Sequence, residues 1–192
     1  MDLSRVGPFK TDMEKAFDSI KWAFILKVMS CMGFSHWVFG LFFRCYSSSW
    51  LTISFMGRKY NFLKTVIGLH QGGSLSHTLF ILDPDTLSRH LNHNIISGNI
   101  QPFRDSGAYT GLSHILFVDD MVFFVNNNRR SLCGFNRMMH EYCKWSGRCI
   151  NCDNTNVFLW TSISSRRSMI IAEFMGFIRE AFSWSILEVM SL

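Results

Sequence analysis

Two apolar runs enclose a pair of acids. Ile115–Leu116–Phe117–Val118 precedes Asp119–Asp120, and Met121–Val122–Phe123–Phe124–Val125 follows it. Short runs rich in β-branched and aromatic residues read as strands, and a brief polar break between two of them reads as a hairpin turn. The pattern therefore predicts a hairpin with two carboxylates at its tip. On the dipeptide alone, a plain turn is the stronger reading, because Asp tolerates turn backbone angles at little cost.

The rest of the chain alternates between helical and extended patterns. Residues 8–12 read as a short strand ending at Asp12. Trp22, Ile25, Met29 and Met32 recur at helical spacing, and Gly33 stops that helix. Ser35 can cap a second helix carrying Val38, Leu41, Phe42 and Cys45. Leu51, Ile53 and Phe55 alternate with polar residues, and the turn Gly57–Arg58 leads to a partner strand through Tyr60 and Phe62. Gly68 to Gly73 reads as a loop. Ser74 or Ser76 then caps a helix through Leu79, Leu82, Leu87 and Leu91, with Pro84 inside it. A proline there predicts a bend or break, unless the helix begins at Asp83 and Pro84 falls in its first turn. Residues 94–111 read as a long loop or irregular hairpin. Leu132, Phe135, Met138, Met139, Tyr142 and Trp145 form a helical stripe closed by Gly147, and residues 148–192 are weakly patterned. The order predicts an α+β domain, with helices packed on one face of a small antiparallel sheet.

Composition narrows the class. The 192 residues include 48% hydrophobic and only 17% charged, with 19 Phe, 11 Met and 6 Trp. Such a chain either packs a large face against something else or has drifted from a better-behaved ancestor. The net charge of +5 suits nucleic acid without demanding it. Arg58–Lys59, Arg129–Arg130 and Arg166–Arg167 read as solvated turns. The six cysteines fall mostly in apolar stretches, so buried free thiols are expected. Cys149 and Cys152 form a C-x-x-C without a second pair, a poor zinc site. No apolar run approaches a membrane span. With no signal peptide recognised, the expectation is an intracellular protein, nuclear or cytoplasmic and not secreted, with no membrane and no evident obligate protein partner.

The acids gain meaning from their neighbours. Carboxylates at strand ends facing a cleft can hold Mg²⁺, a hard cation that takes oxygen ligands, and two such ions about 4 Å apart can serve an in-line phosphoryl displacement. Lys10–Thr11–Asp12–Met13–Glu14–Lys15–Ala16–Phe17–Asp18 resembles the first catalytic motif of reverse transcriptases, most closely those of plant-type non-LTR (LINE-type) retrotransposons. Gly68–Leu69–His70–Gln71–Gly72–Gly73–Ser74–Leu75–Ser76 resembles their second motif, GLRQGDPLS. Phe117–Val118–Asp119–Asp120 resembles their F-A-D-D box, and Tyr142 through Asn151 the helix end and SG-x-x-IN that follow. Each piece is weak to moderate alone, whereas four in order on suitable elements are specific.

The resemblance implies a partial palm domain over residues 1–158, with the fingers and thumb largely missing, and a decayed segment over 159–192. It implies that Asp12 and Asp119 bridge two Mg²⁺ ions (Mn²⁺ as a substitute), with Asp120 as the supporting acid. Phe17 matches the bulky residue under the incoming sugar, where it would exclude a 2′-hydroxyl; without the family it reads equally as a core aromatic. Gln71 and Gly72 match the loop that contacts template and incoming nucleotide. The implied partners are an RNA template, a DNA primer and deoxynucleoside triphosphates.

The departures are as informative. The family's Arg is His70 here, its Asp is Gly73, its two prolines are Ser74 and His77, and the lysine of its later N-x-x-K-S is Asn154. Pro84 occupies a place where the family has a good helix former. The acids are kept while their supports have changed, as in a decaying retroelement copy. The expected function is thus a fragment of an RNA-directed DNA polymerase, inactive as this chain. The alternatives are a non-catalytic remnant with at most weak nucleic-acid binding and, remotely, an unrelated α+β interaction domain.

Overall fold

Strand β1 (Phe9–Glu14) organises the molecule. Phe9, Thr11 and Met13 are buried while Lys10 and Asp12 are half-buried, the period of two that gives a strand one core face and one open face. The computed structural model describes residues 9–48, 50–69, 73, 75–102, 112–126 and 128–157. The expected loop residues Gln71 and Gly72, and the segment 159–192, lie outside these.

After β1 come α1 (Trp22–Cys31), α2 (His36–Ser47), β2 (Trp50–Phe55), β3 (Arg58–Lys64), α3 (Ser76–Phe80), α4 (Leu82–Ile96), β4 (His114–Phe117), β5 (Asp120–Phe123), α5 (Arg129–Ser146) and β6 (Cys149–Val157). The main sheet runs β4-β5-β1-β6, and β2 and β3 form a separate two-stranded sheet. Every pairing is antiparallel. The α+β expectation therefore holds. Three details differ. β1 continues past Asp12 to Glu14. The region expected to be loop from residue 94 is helical through Ile96. The weakly patterned stretch after Gly147 contains the nine-residue strand β6. Its sequence, CINCDNTNV, offers little apolar alternation; its pairing with β1 supplies what the pattern lacks.

Helix α5 carries the core onto the sheet. Phe135 stacks on Phe9 at 5.9 Å and meets Phe123 edge-on at 5.0 Å. Asn128 caps the helix by accepting the Ser131 amide at 2.7 Å, and Gly147 ends it at φ +84°, the left-handed turn that glycine adopts without a Cβ penalty. Helices α1 and α4 pack beside α5, with Phe24 edge-on to Tyr142. Ser35 stands at the start of α2 but makes no side-chain cap bond there, and the residue before α3 is Leu75, not a serine. Ser76 instead shares a 2.9 Å hydrogen bond with the Tyr46 hydroxyl.

The expected break near Pro84 falls between α3 and α4. Proline has no N–H for the carbonyl four residues back and its ring crowds that carbonyl. That residue is Phe80, the last of α3. Ile81 between the helices keeps αR angles, and the hydrogen-bond ladder is interrupted at the proline. Pro84 then sits in the first turn of α4, where it is tolerated.

The cysteines depart from expectation: Cys31, Cys45, Cys133 and Cys149 are exposed and Cys143 is half-buried. Much apolar surface is also open. Trp37 and Phe43 on α2, and Ile53, Phe55, Met56, Phe62 and Leu63 on the β2–β3 hairpin, are all exposed.

Helix α5 approaches the end of α4 closely at Gly134, where an added Cβ would lie 2.5 Å from the Asn99 carbonyl oxygen. Backbone cannot yield as a side-chain tip can. Gly134→Ala is expected to destabilise the fold by about 3 kcal/mol, lowering the urea midpoint with an unchanged slope.

Candidate functional site

Register brings the acids together. Asp12 on β1 lies directly opposite Asp120 on β5 and opposite Asn151 on β6. Met121 and Phe123 are buried while Asp120 is exposed, so Asp12 and Asp120 share the sheet face away from the helices. Asp119 occupies the two-residue turn between Phe117 and Asp120. The expected hairpin is observed, with Asp119 in its turn and Asp120 already on β5; β5 buries Met121 and Phe123, while β4 packs only the half-buried Leu116 against the core. β4 is the edge strand, and its Ile115 and Phe117 are exposed.

Each carboxylate has a nearby polar or cationic neighbour. Asp12 Oδ2 accepts a hydrogen bond from Asn151 Nδ2 at 3.2 Å. Asp120 Oδ1 is 3.1 Å from Lys10 Nζ, a diagonal cross-strand pair on the same face. Asp119 Oδ1 is buried without a hydrogen bond and lies 3.9 Å from Arg148 Nη2. Its desolvation raises the Asp119 pKa; Arg148 opposes the rise, and Asp12 and Asp120 add to it.

Arg148 belongs to a buried network. It and Asp83 are fully buried and ion-paired, and Asp83 also accepts from the Tyr142 hydroxyl at 2.5 Å. The guanidinium carbon lies 5.5 Å from the centre of the Phe80 ring, within cation–π range. Phe80 in turn stacks on Phe17 at 4.1 Å, with His77 edge-on to Phe17 at 5.7 Å. Phe17 is half-buried and packs against the core. Asp83, Arg148 and Asn151 were not singled out as site residues by motif. Arg148 directly follows the helix-ending glycine, where an arginine ordinarily reads as solvated surface, and only the tertiary structure turns it inward.

The donor set suits a hard cation, since Asp12, Asp119 and Asp120 offer only carboxylate oxygen, and the unbonded, buried Asp119 Oδ1 is a ligand atom without a hydrogen-bond donor. The side chains as placed do not converge, however: among the described residues no three His, Cys, Asp or Glu form a ready metal cluster. The carboxylates share a place and a chemistry, and holding an ion requires them to turn from Lys10, Asn151 and Arg148.

The turn itself is strained. Val118 has φ +53°, a conformation a β-branched residue rarely adopts and that costs on the order of 1–3 kcal/mol. Val118→Gly is expected to raise stability by about 1 kcal/mol, provided that relief of strain exceeds the entropy glycine adds to the unfolded chain. Chemical denaturation checks the sign; a loss of stability would mean that the positive φ carries little strain.

A sequence profile of the family described as reverse transcriptase (RNA-dependent DNA polymerase) matches residues 7–178. Among solved structures, the fold resembles an apo telomerase from Candida tropicalis truncated from its C-terminal domain, with a TM-score of 0.61 and 16% sequence identity. The alignment covers 85% of this chain but 32% of that one, so the chain spans about a third of the telomerase it matches. At that identity the likeness concerns fold, and it agrees with a partial polymerase palm. With the profile covering most of its length, the chain belongs to the reverse transcriptase family.

Proposed function

We propose that this chain is the partial palm of a retroelement RNA-directed DNA polymerase, of the plant LINE type, in which Asp12 and Asp119 hold divalent metal and Asp120 supports them. The observation that carries the proposal is the register of β1 against β5, which sets Asp12 opposite Asp120 and beside the turn bearing Asp119. Sequence-distant acids meet in this way on adjacent central strands of one sheet.

Bound Mg²⁺, or Mn²⁺ in its place, would supply charge neutralisation for a primer 3′-hydroxyl attacking a triphosphate. The residues of the chain do the rest. Asp12 presents oxygen donors from strand β1, and Asp119 from the turn between β4 and β5. Phe17, backed by the Phe80 ring, forms a flat wall suited to limiting the space around a sugar. Gln71 and Gly72 are assigned to template and nucleotide contact from their motif. RNA template, DNA primer and deoxynucleoside triphosphates are the corresponding partners.

A second reading, a non-catalytic remnant, is favoured by a specific observation. Lys10 and Arg148 both direct positive charge at the acids, and Asn154 stands where a proton-donating lysine is expected. Rate in phosphoryl transfer comes from positioning and charge stabilisation, and a misplacement of about 1 Å costs roughly 10²-fold. The chain made alone is therefore proposed to bind metal and nucleic acid weakly and to extend primers at no useful rate.

Primer extension on an RNA template, with all four deoxynucleotides and either Mg²⁺ or Mn²⁺, separates the two readings. No extension is expected from the wild-type chain. Extension that disappears in Asp119→Asn would overturn the remnant reading and make this a minimal active palm. In a chimera carrying the fingers of an active relative, Phe17→Ala is expected to admit ribonucleotides. Unchanged sugar discrimination in that chimera would reduce Phe17 to a core aromatic.

A further inference from the structure

Arg148 is placed where a surface reading of its sequence neighbours would not put it. Its side chain is fully buried, yet Nε and Nη2 make no hydrogen bond. Nη1 is committed to Asp83, and the ring of Phe80 lies over the guanidinium. Nη2 lies 3.9 Å from Asp119 Oδ1, which is likewise buried and unbonded. This gap exceeds a hydrogen bond but lies within ion-pair range, and a movement of about 1 Å closes it. The other charges at this carboxylate are Asp12 and Asp120, both anionic, while Lys10 is spent on Asp120.

We propose that Arg148 is a positioning residue that serves as the internal counter-cation of the acid cluster: it holds the inner oxygen of Asp119 when metal is absent and competes with metal for that carboxylate. Asp83 sets the strength of this competition, because it divides the guanidinium charge between itself and Asp119. The proposal rests on the reading of Asp119 as a metal-binding residue, but its charge coupling is measurable without metal.

Opposed signs make the test. In Asp83→Asn, Arg148 loses its anionic partner and moves onto Asp119, so the affinity of the 192-residue chain for Mn²⁺, followed by electron paramagnetic resonance, is expected to fall about tenfold. In Asp83→Asn/Arg148→Met, the internal cation is gone together with its buried anionic partner, so neither half of that ion pair is left uncompensated. Affinity is then expected to rise at least about threefold above wild type, from loss of local repulsion. A merely structural role would lower affinity in both. Equal signs in the two variants overturn the proposal.

A double-mutant cycle in metal-free buffer gives the second readout. Asp119→Asn is introduced into wild type and into the double variant, and unfolding is followed in urea. The effect of Asp119→Asn on the unfolding equilibrium constant is expected to differ about fivefold between the two backgrounds, with Asp119 favoured where Arg148 is present. This readout needs no metal and does not depend on whether Asp83→Asn alone folds. Independent effects in the cycle overturn the proposal, whatever Mn²⁺ does. If Asp119→Asn leaves Mn²⁺ binding unchanged while the cycle shows coupling, the metal reading of Asp119 fails instead and Arg148 stands as its structural partner alone.

Discussion

The buried contact of Arg148 with Asp83 ties together the three elements on which the site depends. Asp83 lies in the first turn of α4, Tyr142 near the end of α5, and Arg148 between α5 and β6. Taking two charges out of water is costly, and a buried pair repays the cost only when further bonds satisfy it. Asp83 has the Tyr142 hydroxyl on one oxygen and Arg148 on the other, and it also sits at a helix N-terminus, where the macrodipole favours an anion. The carboxyl nonetheless has a raised pKa, because burial outweighs these opposing effects. Removing one partner of such a pair costs about 3–5 kcal/mol. The break imposed by Pro84 is thus tied to the site: by making α4 start at Leu82, it places Asp83 in the opening turn, facing Arg148.

From that anchor the sheet follows. β6 begins directly after Arg148 and pairs with β1 so that Asn151 falls beside Asp12. The period of two then decides the rest. With Phe9, Thr11 and Met13 committed to the core, Lys10 and Asp12 must stand on the open face. A slip of one residue would bury Asp12 and expose Phe9, which the core forbids. The apolar packing of Phe9 and Phe123 on Phe135 therefore holds the carboxylates in place without touching them.

Much of this was legible in the sequence, for reasons that can be named. Helices α1 and α5 announced themselves because their apolar residues repeat at helical spacing and a glycine follows each. The β4–β5 hairpin was legible from two apolar runs around Asp119–Asp120, and the interruption before Pro84 from the missing N–H. β6 was not legible, because its identity comes from pairing with β1 and its own polar residues carry no period. Burial of the cysteines was misread for a related reason: apolar neighbours in sequence do not say which face of a helix meets the core, and Cys31, Cys45 and Cys133 lie on outer faces. Within the candidate site, Asp12, Asp119 and Asp120 carry motif signals in the sequence. Arg148 and Asp83 do not, since a buried ion pair between elements 65 positions apart leaves no local pattern.

The arrangement of charges around the acids answers a general difficulty. Like charges gathered at one end of a sheet repel one another, the more so where water is excluded. A fold that gathers three carboxylates must therefore neutralise them when no metal does so. Here each has a local answer of a different kind. Asp120, exposed, takes a lysine in solvent, a pair worth little in stability. Asp12 takes an amide hydrogen bond. Asp119 has one oxygen inside the protein, where water cannot screen it, and the nearby charge is a guanidinium that remains protonated throughout the accessible pH range. The inner oxygen thus meets a permanent cation, and half of the side chain stays exposed toward the open face. This division lets one residue belong to both the core network and the acid cluster, with Asp83 and Asp119 on either side of a single arginine.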